Sequence, residues 1–287
     1  MNQINLFIDL IRLKKPIGFM LLFWPCAWGL TLAYDFKGEK ITYIYFLSLF
    51  FLGAVLMRSA GCIVNDIADK NFDRKVERTK NRPIASGKIS VFKGLVFSAA
   101  LCLIALLVLI QFNNLTILLA LGSVPLAFTY PLLKRITYWP QLFLGITFNY
   151  GLILGWTSIK DAIDILPFIL YFGSIFWTLG YDTIYGFQDI KDDEIIGLKS
   201  TSIKFKKNPI KFITICYSFF LISLIIIGIS LELNNYYYLF FSIIILQMFF
   251  FQLKKIDIKN SLLCFTIFRS NNFLGLLVLI SLISGKL

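Results

Sequence analysis

Apolar residues run along this chain in long stretches, not at the spacing of a half-buried helix or strand. Phe212 to Leu231 and Leu239 to Phe251 carry almost no polar side chain. A helix packed on a soluble core would turn a polar face outward every three or four residues; these runs offer no such face. Runs of about 20 apolar residues are what a hydrocarbon layer about 30 Å thick demands of a spanning helix. Bounding the runs by polar and turn residues predicts nine spans, at 17–34, 41–64, 91–112, 115–133, 138–158, 165–187, 208–232, 235–253 and 263–284. The predicted fold class is therefore all-α, a polytopic membrane bundle forming a single domain over 1–287 around a central cavity. Pro16, Pro131, Pro140, Pro167 and Pro209 stand near span ends, where a missing N–H costs least. Pro25 and Pro125 fall inside spans and are expected to kink them.

Composition agrees: 58% of residues are hydrophobic and 15% charged, against about 25% charged in an ordinary soluble domain. The net charge of +12 would point to nucleic acid in a soluble protein, but topology accounts for it better. With a cytoplasmic N-terminus, 24 of the 28 Lys and Arg fall on the cytoplasmic side, and only Lys37, Lys40, Lys160 and Lys286 opposite. That is the positive-inside rule alternating through nine spans, and no nucleic-acid partner is expected. The C-terminus then lies on the far side. The sixteen residues before the first span are too few, and Asp9 too acidic, for a transit peptide. There is no histidine, which excludes a serine–histidine triad and argues against catalytic zinc. The five cysteines are scattered without a CxxC pair and are expected to be small core residues.

Two cytoplasmic loops, near 65–90 and 188–207, are longer than the other connections, and function tends to concentrate in such loops. At the first, Asn65-Asp66-Ile67-Ala68-Asp69-Lys70-Asn71-Phe72-Asp73 places acids at i, i+3 and i+7. On a continuous helix Asp66 and Asp73 would point within about 20° of each other and Asp69 within about 60° of Asp66. Like charges on one face repel, and a divalent cation resolves the repulsion; all-oxygen ligands suit Mg²⁺. At the second, Asp182, Asp189 and Asp193 fall within an arc of about 40° on a continuous helix, with Asp182 deepest in its span. An ionisable residue within the membrane is a functional hypothesis by default. Nine of the chain's 16 acids lie in these two places, on one side of the membrane. A shift of 116 residues carries Asp66 onto Asp182 and Asp73 onto Asp189, the pattern of a divergent internal repeat. Arg78 and Arg82 follow the first cluster and Lys199 the second. Acids beside selected cations form a diphosphate site, with metal ions bridging carboxylates to phosphate oxygens, and Arg58 projects close enough to Asp69 to join it. The expected metal ligands are Asp66, Asp69, Asp73, Asp189 and Asp193. An ion-conducting transporter is the competing class, but it would be expected to carry its acids near mid-bilayer rather than gathered at one face.

Further motifs extend along the chain: Arg12-x-x-Lys15-Pro16-Ile17-Gly18, Trp24-Pro25, Met57-Arg58-x-Ala60-Gly61-Cys62, Arg78-Thr79-x-x-Arg82-Pro83 and Tyr130-Pro131-x-x-Lys134-Arg135. Later come Pro140-Gln141, Tyr181-Asp182-Thr183-x-Tyr185, Asp189-x-x-Asp192-Asp193 and Ile196-Gly197-x-Lys199-Ser200-Thr201. Together with the first aspartate motif, these resemble the UbiA superfamily of intramembrane aromatic prenyltransferases, and within it the bacterial 4-hydroxybenzoate branch. Ser202 stands where relatives commonly carry alanine. The resemblance implies nine helices around a cavity, Mg²⁺ at both motifs, a polyprenyl diphosphate donor whose tail runs towards the lipid bilayer, and 4-hydroxybenzoate as acceptor at its 3-position. It also implies ubiquinone biosynthesis in a bacterial inner membrane. Asn65, Arg58, Arg78, Arg82, Tyr185 and Lys199 are the expected diphosphate-site residues. Asp182 or Asp189 is the expected base, and Arg135 the expected partner of the acceptor carboxylate or a phosphate. Dihydroxynaphthoate, homogentisate, haem or a sugar phosphate remain alternative acceptors.

Overall fold

The computed structural model describes residues 3–77, 79–129, 133 and 135–287. Arg78, Tyr130, Pro131 and Lys134, singled out in the sequence, lie outside the described residues. The chain is all-helical among those described. The helices are α1 (Gln3–Leu10), α2 (Ile17–Ala33), α3 (Lys40–Ala68), α4 (Lys70–Asp73), α5 (Val91–Leu109), α6 (Asn114–Thr129), α7 (Pro140–Asn149) and α8 (Gly151–Lys160). Beyond them come α9 (Ile165–Gly186), α10 (Ile190–Ile195), α11 (Thr201–Lys204), α12 (Pro209–Ser230), α13 (Asn235–Leu246) and α14 (Ser261–Lys286). After α13 the helix widens into a π turn over Gln247–Gln252 and tightens into a 3₁₀ turn over Leu253–Lys255.

Each predicted span falls on a helical stretch. Among the described residues seven stretches are long and apolar enough to cross a membrane, with α7–α8 and 235–255 each forming one of them. The other two predicted spans are shorter apolar helices, Ile17–Ala33 and Asn114–Ala127. This is an integral membrane protein by composition and helix length.

Helix α2 is buried along most of its length and packs on α3, α8 and α14. Its closest neighbour is α8, and small residues permit the approach. A Cβ on Gly29 would lie 1.9 Å from the Leu152 carbonyl oxygen, and one on Gly155 would lie 2.3 Å from that of Cys26. With no aqueous driving force between helices in lipid, such backbone proximity is a main source of packing energy. Trp28, Trp177 and Phe220 fill the core beside this seam, with ring centroids 5.1 to 6.0 Å apart. At the far end Lys286 donates to the carbonyls of Thr31, Leu32 and Tyr34, the acceptors that the end of α2 leaves unpaired. The loop between α4 and α5 is folded down onto the bundle: Ile84 and Ile89 pack with Leu10 of α1 and Ile63 of α3.

Candidate active site

The first aspartate motif is not one continuous helix. Helix α3 stops at Ala68, Asp69 takes φ −95°, ψ 3°, and α4 restarts at Lys70. Asp and Asn side chains compete with the backbone for hydrogen bonds and favour such breaks. The shared face survives nonetheless. Arg82 Nη1 donates to Asp66 Oδ1 at 3.2 Å and to Asp73 Oδ2 at 2.8 Å, so one guanidinium bridges the two acids. Asp66, 1% exposed, also accepts from Arg12. Burial is the largest influence on Arg12 and works to lower its pKa, but the surrounding negative groups, Asp66 foremost and Asp73 among the rest, together hold the guanidinium above its ordinary value. Asp69 pairs with Arg135 at 3.6 Å. Arg135 in turn donates to the Ala68 carbonyl at 2.7 Å and lies over the Phe72 ring at 4.7 Å.

The second motif breaks in the same way. Helix α9 ends at Gly186, Asp189 stands at the start of α10 with φ −113°, ψ 9°, and Asp193 lies one turn on. The following loop is pinned to α9. Thr183 and Thr201 hydroxyls meet at 2.6 Å, Ser202 donates to the Thr183 carbonyl at 2.8 Å, and Gln141 accepts from the Thr201 N–H at 3.0 Å. Lys199 donates to the Ile136 carbonyl at 3.2 Å and Tyr185 packs on Phe268 at 4.4 Å.

Deeper in the same helix, Asp182 is half-buried, and the opposite charge acting on it is that of Arg58. The Arg58 guanidinium lies 5.6 Å from the Phe148 ring centroid, and its buried Nε has no hydrogen-bond partner among the described residues. Gly18 makes room for it, since a Cβ there would lie 2.8 Å from Arg58 Nε.

One cavity of about 1540 Å³ joins both motifs. Asn65, Asp69, Asp73 and Arg82 line it from the first motif, Asp182, Tyr185, Asp189, Asp193 and Lys199 from the second, and Arg58 between them. From this polar end the cavity continues along an apolar wall of α5 and α6, including Leu103, Leu106, Leu109, Leu121 and Val124, as far as Phe50 and Phe112. Asp66 and Arg135, expected at the site, do not line it; their ion pairs hold them behind Arg82 and Asp69. Arg12, absent from the expected site residues, does line it. Its only signal in the sequence was membership of the Arg12-to-Gly18 motif.

Among the described residues no three acids converge to hold an ion by themselves. Mg²⁺ does not require that: it keeps several waters and takes one or two carboxylates together with substrate phosphates. Carboxylates from Asp69, Asp73, Asp189 and Asp193 facing one cavity are an all-oxygen donor set that fits such an ion.

The sequence profile described as the UbiA prenyltransferase family matches residues 22–277. This chain belongs to that family. Among curated relatives, the mitochondrial 4-hydroxybenzoate polyprenyltransferases of Rattus norvegicus and Homo sapiens are each 43% identical over 98% of this chain and 75% of their own length. That of Caenorhabditis elegans is 39% identical over 98% of this chain and 78% of its own length. Among solved structures, a UbiA homologue from Aeropyrum pernix K1 superposes with a TM-score of 0.73 at 24% identity, covering 94% of this chain and 97% of that one. A UbiA homologue from Archaeoglobus fulgidus bound to GPP and Mg²⁺ gives 0.71 at 17% identity, covering 97% and 99%. At those identities the structural likeness speaks for a shared UbiA fold.

Proposed function

We propose that this UbiA-family chain transfers a polyprenyl group from polyprenyl diphosphate to the 3-position of 4-hydroxybenzoate, with Mg²⁺, in ubiquinone biosynthesis. The observation that carries this is the cavity itself: two acidic motifs and selected cations at one end, an apolar passage for a tail at the other. The acceptor is supported by relatives more than 40% identical over nearly the whole chain that carry this activity in their names.

Mg²⁺ held by Asp69 and Asp73 on one side and Asp189 and Asp193 on the other would supply positive charge to the departing diphosphate. Arg82 and Lys199, at the polar end, take the remaining phosphate charge as donors aimed where it develops; Asn65 and Tyr185 line the same cavity, and Arg78 joins this group on its sequence motif alone. The allylic C–O bond breaks and its electron pair leaves with the diphosphate. Ring carbon 3 of the acceptor attacks the allylic carbon, and the proton on that ring carbon passes to Asp182. Arg58 sits beside Asp182 with its Nε uncommitted, which suits it to the acceptor carboxylate better than Arg135. Phe148 and Phe268 in the wall exclude water that would quench an allylic cation and offer it π faces. Asp66 and Arg135 serve by holding Arg82 and Asp69.

The nine helical stretches each cross the membrane around this cavity, in a bacterial inner membrane, with the N-terminus and both motifs cytoplasmic and the C-terminus periplasmic. The two motifs, each a long helix yielding to a short one beside an aspartate, are halves of a divergent repeat. Membranes containing the protein, supplied with Mg²⁺, a polyprenyl diphosphate and 4-hydroxybenzoate, should form the 3-polyprenyl product only in the complete mixture. Product with dihydroxynaphthoate or homogentisate but not 4-hydroxybenzoate would reassign the acceptor.

A further inference from the structure

Helix α1 ends in a Schellman turn. The Leu13 N–H donates to the Ile8 carbonyl at 3.2 Å and the Arg12 N–H to that of Asp9 at 3.3 Å. This geometry requires a left-handed residue at Arg12, where φ is 54° and glycine is the usual occupant. Helix α10 ends in the same turn with the usual residue: Leu198 donates to Asp193, Gly197 to Glu194, and Gly197 has φ 74°. The other non-glycine residues at positive φ among the described residues, Asp161 and Glu232, are exposed. Arg12 differs from both, because its side chain turns inward to Asp66. A strained backbone that places a cation on a buried acid points to use of that cation.

We propose that Arg12 is a positioning residue for the diphosphate site, acting through Asp66 on Arg82. This rests on the prenyl-diphosphate function proposed above. Asp66 and Asp73 carry two negative charges, and Arg12 and Arg82 balance them. Without Arg12, Asp66 would draw Arg82 wholly onto itself and away from Asp73. With Arg12 in place, Arg82 stays between the two acids, its guanidinium on the cavity wall, and Asp73 stays oriented towards the ion it is to hold. Arg12 also fastens α1, whose Leu6, Ile8 and Asp9 form part of the same wall. The residue lies before position 22, where the family match begins.

Arg12→Gly separates the two roles, because glycine suits the Schellman turn while removing the charge. The full chain in detergent would be titrated with geranyl diphosphate at a series of Mg²⁺ concentrations, and its thermal midpoint measured alongside. The expected result is a Kd for geranyl diphosphate at least tenfold higher and a raised Mg²⁺ half-saturation, with the midpoint within a few degrees of wild type. Arg12→Lys should recover most of the affinity. If Arg12→Gly is poorly folded, Arg12→Gln keeps a hydrogen-bond donor beside Asp66 without the charge; it should fold yet still bind weakly, since Asp66 then draws Arg82 away from Asp73. Wild-type affinity in either variant while wild-type protein binds the probe would overturn the assignment to Arg12 alone. A wild-type protein that binds no geranyl diphosphate would instead overturn the prenyl-diphosphate reading, and this inference with it.

Discussion

The side chains of the site divide by what each already holds. Asp66, Asp69 and Asp73 are all buried; Asp66 is shared by two arginines and does not line the cavity, whereas Asp69 and Asp73, each paired with an arginine, line it with Asp189 and Asp193. Asp69→Asn or Asp189→Asn should lower turnover by about a hundredfold or more, the scale of losing one electrostatic contributor to a developing charge. Both variants should keep their thermal midpoints, and full activity in either would displace these residues from the site. Arg82→Ala should behave otherwise. It leaves Asp66 and Asp73 close together without their shared counter-charge, and removing one partner of a buried pair costs about 3 kcal/mol or more. Denaturation in detergent should therefore show a stability loss along with lost activity. The acids were legible in the sequence because charge is rare in such a chain and nine of 16 acids cluster in two places. Their arginine partners were less so. Arg12 and Asp66 are 54 positions apart, and in a chain rich in cytoplasmic cations no spacing rule distinguishes a bridging arginine from a topological one.

Helices were the most readable unit. A span must be long, apolar and hydrogen-bonded within itself, so its ends stand out wherever polar residues begin. The breaks at Asp69 and before Asp189 were not legible: a helical projection assumes a continuous helix, but the first motif leaves its helix at Asp69 and the second at Gly186, with Asp189 starting the next helix. Asp66 and Asp73 converge because Arg82 joins them across the break. Packing between helices is set by small residues at chosen places. Gly155→Val would drive a Cβ to within 2.3 Å of the Cys26 carbonyl oxygen, and overpacking of this kind costs about 1–3 kcal/mol. The variant should lose thermal stability in detergent. Gly122→Ala, in α6 with nothing within 4 Å of the added carbon, should not.

At the scale of the molecule, orientation and metal dependence are the testable properties. An alkaline phosphatase reporter fused after Lys286 should be active, as expected of a periplasmic end, and one fused after Lys259 inactive. The reverse pattern would invert the topology. Removing divalent metal with EDTA should abolish prenyl transfer by purified protein, and Mg²⁺ should restore it. Loss that Zn²⁺ but not Mg²⁺ reverses would contradict the all-oxygen donor set.

The order of apolar and polar residues determined by itself that the chain is a membrane helical protein, where its helices lie, and in which two places its acids gather. Those are local properties: a hydrocarbon layer fixes helix length, and a charge near it must have a reason. Only the tertiary structure decided which cation meets which acid, that Asp66 does not line the cavity while the Arg58 Nε is left without a hydrogen-bond partner among the described residues, and that α1 helps to wall the site. Those depend on segments far apart in sequence being brought within bonding distance, and burial then makes each charge seek whichever partner the packing has placed there.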